Sequence, residues 1–343
     1  LSQEILDHSW CVAICDESQM VKSHKSKQSK MAHKIGKKSA RRLALSGTPM
    51  ENGPLDIFGQ CRFLDEKLFG SSWHRFQKQY AVMKRIPGVQ VPIVDKYQNL
   101  GQMRELFYSQ WFRIESSVLD LPELTHQVID CPMSPKGMKS YRYLANDLIA
   151  EIEGGVVTAD NALVKLLRLQ QITSGWVKCS ETDELLHADT SKEDALEMII
   201  SGMHQDDHVV VFGRFSSDLM TARGVAERLG RPYFEVSGNL KDGVNERGQM
   251  NVVEGLPGHV VGVQIDSGGA GIDLTAARYA VYFSVGYSRG KYDQSVSRIH
   301  RPGQERNTHC YHLQCKGTVD EHVYRALKSK KDIIASVLQS LGS

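Results

Sequence analysis

Short apolar runs alternate along the chain with longer amphipathic segments, and this alternation constrains the fold more than any other feature. The clearest runs are WCVAIC at 10–15, which carries no charge, HVVVFGRF at 208–215 and YAVYFS at 279–284. Runs of this length are typical of strands buried on both faces of a parallel sheet. The longer segments between them have helical spacing. The pattern therefore predicts an α/β fold with parallel strands joined by crossover helices.

The chain is long enough for two domains of ordinary size, since it has 343 residues. We place the boundary near 130–135, so that the first domain covers 1–132 and the second covers 133–343. The second is expected to begin with a mostly helical segment at 134–205. We further predict a helix over 245–255 and an irregular loop over 84–101, where prolines and glycines cluster.

Charge is distributed unevenly. The formal net charge is only +2, but no Asp or Glu occurs between Ser18 and Met50. That span carries nine basic residues, Lys22, Lys25, Lys27, Lys30, Lys34, Lys37, Lys38, Arg41 and Arg42. Such a block can follow a phosphate backbone, although a solvated helix face would read the same way.

Composition also limits where the chain is expected to work. No apolar stretch approaches the length that spans a membrane, and no signal peptide is recognisable. The seven cysteines are scattered, which is typical of a reducing compartment. We therefore expect no membrane association and a cytoplasmic location.

Asp16 and Glu17 directly follow the first apolar run, at the predicted carboxyl end of a strand. Ligands of open α/β sheets bind at such ends. One carboxylate there can hold Mg²⁺, and its neighbour can orient an attacking water. The same pair could also simply open a loop.

A second strand-like run ends in LSGTP at 45–49, which brings Ser46 and Thr48 to a strand end. Another polar turn, SGGAGIDLT at 267–275, contains Gly268, Gly269 and Gly271 after a predicted strand. Glycine-rich backbone there could approach phosphate, or it could form a tight turn only.

Paired arginines occur in QSVSRIHRPGQ at 294–304. On a helix, Arg298 and Arg301 share a face, with Gln294 one turn before Arg298. Guanidinium groups placed in this way can bind phosphate oxygens, although two solvated arginines are an equally simple explanation.

The order of these motifs is more specific than any one of them. Asp-Glu-Ser-Gln, Leu-Ser-Gly-Thr-Pro, Gly-Ala-Gly-Ile-Asp-Leu-Thr and Arg-x-His-Arg-x-Gly-Gln follow one another along nearly the whole chain. This series resembles the superfamily 2 helicase-like ATPases of the SWI/SNF type, in their compact viral or bacterial form. The resemblance implies two RecA-like lobes that close over ATP and move along duplex DNA. The likeness to compact members also implies a prokaryotic or virus-infected cell more than a nucleus.

The resemblance also implies roles for individual residues. Asp16 would bind Mg²⁺ and Glu17 would activate water, with Arg298 and Arg301 as further catalytic groups and Arg301 as the arginine finger. Gly271, Asp273 and Gln294 would contact nucleotide. Ser46, Thr48, Thr275 and Lys22 would couple that site to DNA, which we expect to be bound without sequence specificity. ATP and Mg²⁺ are the implied cofactors.

Two departures from the family pattern stand out. Gln19 occupies a position where the family usually has His, which alters the expected coupling. No Gly-x-x-x-x-Gly-Lys-Ser/Thr loop occurs, and only fifteen residues precede Asp16, whereas a strand, loop and helix need about 30. We therefore expect a first lobe truncated at its N-terminus, partnered by its missing N-terminal half, and no hydrolysis by this chain alone. A strand-separating helicase and a non-catalytic nucleic-acid-binding module are the alternatives.

Overall fold

The computed structural model describes residues 2–85, 92–114, 118–153, 159–178, 184–238, 240–253, 255–266 and 271–339. Two compact units divide the chain: the first comprises residues 1–114, 288–290 and 328–343, and the second comprises 115–287 and 291–327. In the described part, no helix combines the length and apolar composition needed to cross a membrane.

The first unit contains two parallel strands and several helices. In chain order its elements are α1 (Ser2–Asp7), β1 (Trp10–Cys15), α2 (Lys27–Lys37), β2 (Ser39–Ala44), α3 (Ile57–Leu64), α4 (Glu66–Phe69), α5 (Trp73–Tyr80), β3 (Ala81–Lys84), β4 (Ile93–Tyr97) and α6 (Leu100–Tyr108). β1 and β2 pair in parallel, as predicted. The segment 84–101, predicted as an irregular loop, contains β4, which pairs antiparallel with β3. The sequence did not indicate this strand because prolines and glycines surround Ile93–Tyr97.

The core of the first unit is made by helices and not by its parallel strands. Its buried residues come mainly from α3, α5 and α6 and are Met50, Ile57, Phe58, Cys61, Phe76, Tyr80, Met103 and Phe107. The prediction that the strand at 10–15 is buried on both faces is wrong for this structure. Val12 is 45% exposed and Ile14 62%, and on β2 Leu43 is 52% exposed. The cause is that the described residues form only a two-stranded sheet here, too narrow to cover its own apolar side chains.

The second unit is built on a fully parallel six-stranded sheet. Its elements are β5 (Leu124–Asp130), α7 (Pro135–Glu153), α8 (Ala159–Thr173), β6 (Trp176–Lys178), β7 (Leu185–His187), α9 (Ser191–Ser201), β8 (Val209–Gly213), α10 (Ser216–Arg228), β9 (Tyr233–Val236), β10 (Val260–Gln264), β11 (Tyr279–Tyr282), α11 (Arg289–Ile299), β12 (Thr308–Gln314) and the first part of α12 (Val319–Gln339). The first two residues of α11 and the part of α12 from residue 328 onward are assigned to the first unit. The sheet order is β5-β12-β11-β8-β10-β9. This confirms the predicted doubly wound α/β architecture and the mostly helical segment at 134–205.

Alternate residues of the central strands enter two separate cores. From β8, Val210 and Phe212 join one hydrophobic cluster, whereas Val209 and Val211 join the other. All four are at most 1% exposed. Because helices cover both faces, the charge-free run is explained by burial on both sides.

β5 pairs with β12 over its whole length, from Leu124↔Thr308 to Asp130↔Gln314. The strand therefore belongs to the sheet of the second unit. The division of contacts falls after Ile114, whereas the sequence suggested a boundary after residue 132. The difference arises because an extended segment carries no signal of which sheet it will join.

The predicted helix over 245–255 is wrong. The Asn245 side chain accepts hydrogen bonds from the backbone amides of Arg247 (2.9 Å) and Gln249 (3.0 Å). Gly248 follows with a φ of +76°. An Asn side chain that accepts from the following amides competes with helix formation. The positive φ of Gly248 is also incompatible with a right-handed helix. Gln249 instead forms a parallel bridge with Asp273.

Candidate functional site

The Asp16–Glu17 pair forms a strained turn at the carboxyl end of β1. Glu17 has φ 48° and ψ 50°, the left-handed region that non-glycine residues rarely adopt. Its amide donates to Oδ1 of Asp16 over 2.9 Å. Both side chains are exposed. Strain of this kind is concentrated at functional sites and marks the turn as a candidate site.

Gln19 connects this turn to the loop after β2. Its Nε2 donates to the Glu17 carboxylate over 2.5 Å, and its Oε1 accepts from Ser46 Oγ over 2.6 Å. Ser46 Oγ also accepts from the backbone amide of Thr48 over 3.1 Å. Glu17, Gln19, Ser46 and Thr48 therefore form one continuous polar relay, which brings together the first two motifs predicted from the sequence.

A buried amide holds the same two loops from the other side. Gln60 on α3 is fully buried and accepts from Ser18 Oγ over 2.8 Å. Its Nε2 donates to the carbonyl of Pro49 over 2.6 Å and to that of Asp56 over 3.0 Å. The sequence analysis missed Gln60, although a polar residue between Phe58 and Cys61 on an apolar helix was a usable signal.

Two neighbours limit the chemistry available at the turn. Burial, with the Asp16 charge as a smaller cause, raises the pKa of the Cys15 thiol, so this thiol stays protonated at neutral pH and is a poor nucleophile. The Lys22 ammonium is held by the Glu51 carboxylate. Lys22, predicted to contact DNA, is thus already engaged in an ion pair.

In the second unit, the connection from β10 to β11 carries another set of predicted residues. These two strands flank β8 on opposite sides, and ligands of open sheets bind where connections change direction in this way. Gly268 and Gly269 lie outside the described residues. Gly271 has a φ of +74°, and a side chain there would be strained.

Asp273 shapes this connection. Its Oδ1 accepts from the amide of Thr275 over 3.0 Å and from Thr275 Oγ1 over 2.8 Å. Its own amide donates to the carbonyl of Gly248 over 2.7 Å. The structure therefore brings Gly271, Asp273 and Thr275 together, with Asp273 and Thr275 directly bonded.

A backbone hydrogen bond connects the segment of the paired arginines to this loop. The amide of Leu274 donates to the carbonyl of Arg298 over 2.9 Å. Gln294 and Arg298 lie on α11, one turn apart as predicted. Arg301 lies beyond the helix, which ends at Ile299. The prediction that both arginines lie on one helical face is wrong, because Pro302 disfavours helical geometry at Arg301 and Gly303 has a φ of +104°.

Gln304, the last residue of the arginine motif, received no role in the sequence analysis, yet it joins the two motifs of the second unit. Its side chain is 5% exposed. Nε2 donates to the carbonyls of Thr275, Ala277 and Ile299 at 3.0, 2.9 and 3.3 Å. One buried amide thus holds both the loop before β11 and the end of α11.

A sequence model of the SNF2-related domain matches residues 2–175, about half of the chain. The chain belongs to the SNF2-related family. This confirms the family resemblance drawn from the motifs, and the Asp16–Glu17 turn with its Gln19 relay lies within the matched segment.

Similar proteins agree with this membership. Over 99% of the chain it is 25% identical to the putative ATP-dependent helicase/translocase YwqA of Bacillus subtilis, and it covers 37% of that protein. It is 24% identical over 95% of its length to the human DNA repair and recombination protein RAD54-like, of which it covers 48%. A putative protein p41 from a phage of an aphid endosymbiont is 25% identical over 98% of this chain, which covers 74% of p41. This SNF2-related chain thus spans less than half of the first two.

Proposed function

We propose that this SNF2-related chain forms part of an ATP-dependent translocase that moves on duplex DNA. The observation that carries the proposal is the strained Asp16–Glu17 turn with its relay through Gln19 to Ser46. A carboxylate at a strand end can orient the hydrolytic water. A polar relay makes the position of that carboxylate depend on the neighbouring loop. The names of the similar helicase and repair proteins support the same activity.

Asp16 is our proposed ligand for Mg²⁺, and its surroundings suit that ion. Among the described residues, no three His, Cys, Asp or Glu side chains converge to hold a metal. Mg²⁺ does not require such a cage, since it commonly binds one or two carboxylates together with substrate phosphates and waters. When bound, the ion would neutralise phosphate charge. Glu17, held by Gln19, would then accept the proton of the attacking water.

We propose that residues of the second unit also contact ATP. Arg301 is our choice for the arginine that stabilises transition-state charge, with Arg298 and Gln294 as supporting phosphate contacts. Gly271 and Thr275 would approach phosphate oxygens. Asp273 has a different role, because its carboxylate already binds Thr275, so we propose that it positions that residue.

Contact with the DNA backbone is proposed for the basic face of α2. Lys27, Lys30 and Lys34 are exposed and spaced to share one side of this helix. Within the described ranges, none of them has a carboxylate within 4.0 Å. Backbone contacts of this kind carry no base information, so binding should be independent of sequence and should weaken as salt rises.

The phosphate-binding loop is proposed to come from outside these 343 residues. Their sequence contains no Gly-x-x-x-x-Gly-Lys-Ser/Thr loop, and the exposed apolar residues of β1 and β2 are those that an additional strand layer would cover. Without that loop, the β- and γ-phosphates lack their lysine and backbone cradle. We therefore propose that the 343-residue chain alone does not hydrolyse ATP. The absence of this loop from the 343-residue sequence also favours a second candidate, a non-catalytic DNA-binding module.

One experiment separates these proposals. DNA-stimulated ATP hydrolysis is measured for the 343-residue chain and for the product of its complete reading frame. We expect turnover only from the latter, and Arg301→Ala should reduce it by about 10³-fold. Arg142→Ala, an exposed arginine on α7, is the matched control and should be neutral. Turnover by the chain alone would refute the missing-loop proposal, whereas no turnover by either protein would favour the binding module. A forked duplex added to the same assay tests for strand separation.

A further inference from the structure

A large groove lies in the second unit, and none of the residues assigned to nucleotide or DNA above is among its lining residues. It is bounded by α7, α8 and the antiparallel hairpin β6–β7, and its volume is about 1050 Å³. That volume lies at the upper end of the range for small-molecule pockets, so the groove has room for several side chains of a partner at once.

The floor of the groove is apolar. It is formed by Leu144, Ile172, Val177 and Leu186. Leu186 is 52% exposed, and Tyr143 at the rim is 80% exposed. An open apolar floor rimmed by polar groups has the composition of a protein interaction site.

The rim of the groove is cationic. Lys136, Lys139 and Arg168 line it, and none of the lining residues that the structure describes is Asp or Glu. Within the described ranges, no carboxylate lies within 4.0 Å of these three side chains. By contrast, Lys165, one turn before Arg168 on α8, pairs with Asp147 over 2.6 Å. His187 of the lining lies 3.4 Å from Glu193. The three uncompensated cations create a field that favours an acidic partner.

Helical spacing explains why these groups occur together. Along α7 the intervals between Lys136, Lys139, Tyr143 and Leu144 are three, four and one residues, which places them on one side of the helix.

Gln171 contributes a buried Oε1 atom that has no hydrogen-bond donor in the described structure. A ligand with N–H groups would satisfy this acceptor, and buried polar atoms normally find such a partner.

We propose that this groove binds an acidic amphipathic helix of a partner protein. The apolar side of such a helix would cover Leu144, Val177 and Leu186, and its carboxylates would meet Lys136, Lys139 and Arg168. Side-chain N–H groups on that helix could reach Gln171. DNA would use the cations but leave the apolar floor uncovered, so the lining favours a polypeptide.

The test uses a defined peptide as probe. A fluorescein-labelled helix of about 18 residues, roughly five turns, carries Leu on one face and Glu on the other. A matched peptide carries Lys in place of Glu. Fluorescence anisotropy with the purified 343-residue chain should show saturable binding of the Leu/Glu peptide and none of the Leu/Lys peptide. Absence of Leu/Glu binding, or equal binding of the two peptides, would overturn the proposal.

Matched variants locate the binding. Leu186→Glu and the double variant Lys136→Glu/Lys139→Glu should each weaken Leu/Glu binding at least about tenfold, which corresponds to ~1.4 kcal/mol. Leu256→Glu replaces a leucine of similar exposure, 50%, and Lys316→Glu replaces an exposed lysine. Both controls should bind as the unmodified chain does. Unchanged binding by Leu186→Glu would overturn the assignment.

A competing outcome concerns nucleic acid. If labelled duplex DNA loses affinity for Lys136→Glu/Lys139→Glu while the Leu/Glu peptide fails to bind, the groove is a DNA surface and the proposal fails. Circular dichroism spectra must coincide for all variants. Because Leu186 and both lysines are exposed, loss of folding is not expected. None of these measurements depends on ATP hydrolysis, so they stand apart from the proposed function.

Discussion

The parallel strands of the two units differ in burial although they are similar in sequence. β1 and β8 are both short valine-containing runs without charge. Val211 on β8 is fully buried, whereas Val12 on β1 is 45% exposed. In the second unit β8 is flanked by β10 and β11 and covered by helices on both faces. In the first unit β1 has only β2 as a described neighbour. The comparison shows that a strand's sequence specifies the surroundings it needs, and that β1 lacks them here.

The largest expected difference between the two strands comes from introducing a charge. Val211→Asp should destabilise the second unit by more than about 4 kcal/mol, because an ionised carboxylate would be buried without a partner. Val12→Asp in the 343-residue chain should cost less than about 1 kcal/mol, since its site faces water. Urea unfolding followed by circular dichroism measures both.

The same two substitutions can also be compared in the product of the complete reading frame. If an additional segment covers β1, Val12→Asp should there become nearly as costly as Val211→Asp. An unchanged small cost would show that nothing covers this strand and would remove the support that its exposed residues give to a missing segment.

Burial in the second unit also produces a pH dependence. Burial, with His126 as the second cause, lowers the pKa of His312 to about 3. Below pH ~6.5 the unfolded chain binds a proton that the folded unit does not bind until about pH 3. His312 therefore destabilises the fold progressively as pH falls from 6.5, by up to about 1.4 kcal/mol per pH unit.

Urea unfolding at a series of pH values between about 7 and 4 tests this slope. His312→Gln should make it shallower, because glutamine does not titrate. His208 contributes in the same direction, since burial, with the charges of His259 and Arg306 as smaller causes, lowers its pKa to about 4. A slope identical in His312→Gln and the unmodified chain would contradict the assignment.

Two glycines provide a smaller, matched comparison within the second unit. Gly248 and Gly255 have similar positive φ values, +76° and +78°. A Cβ at Gly248 would lie 2.6 Å from the carbonyl oxygen of Gly271, whereas nothing lies within 4 Å at Gly255. Gly255→Ala should cost about 1 kcal/mol for backbone strain alone. Gly248→Ala should cost about 1–3 kcal/mol more, because the loop carrying Gly271 must move. Equal costs in thermal unfolding would show that the close approach is unimportant.

A further expected effect concerns the relay in the first unit. In the product of the complete reading frame, Gln19→Ala should lower DNA-stimulated turnover by about tenfold, the effect of losing one or two side-chain hydrogen bonds. Ser46→Ala should have a similar effect, and the double variant should be little worse than either. Gln28→Ala, exposed on α2, is the control. Additive effects would show that Gln19 and Ser46 act separately.

Three features could be predicted from the sequence, because hydrophobic spacing indicates local structure directly. They are the parallel α/β pattern, the strand ends that carry polar motifs and the helical segment at 134–205. The sequence did not predict the Asn245 turn, since side-chain competition for backbone amides leaves no periodic signal. It also did not predict the roles of Gln60 and Gln304, which depend on loops distant in sequence. The assignment of β5 to the second sheet likewise depended on a partner strand that follows it by almost two hundred residues.

Glu17→Gln in the product of the complete reading frame tests the central claim most directly. Glutamine keeps the size of the side chain but cannot accept the proton of the attacking water. Turnover of ATP with duplex DNA should fall by at least about 10²-fold, while DNA affinity stays unchanged. Hydrolysis at the unmodified rate would contradict the account, because the strained turn after β1 would then not be the catalytic centre.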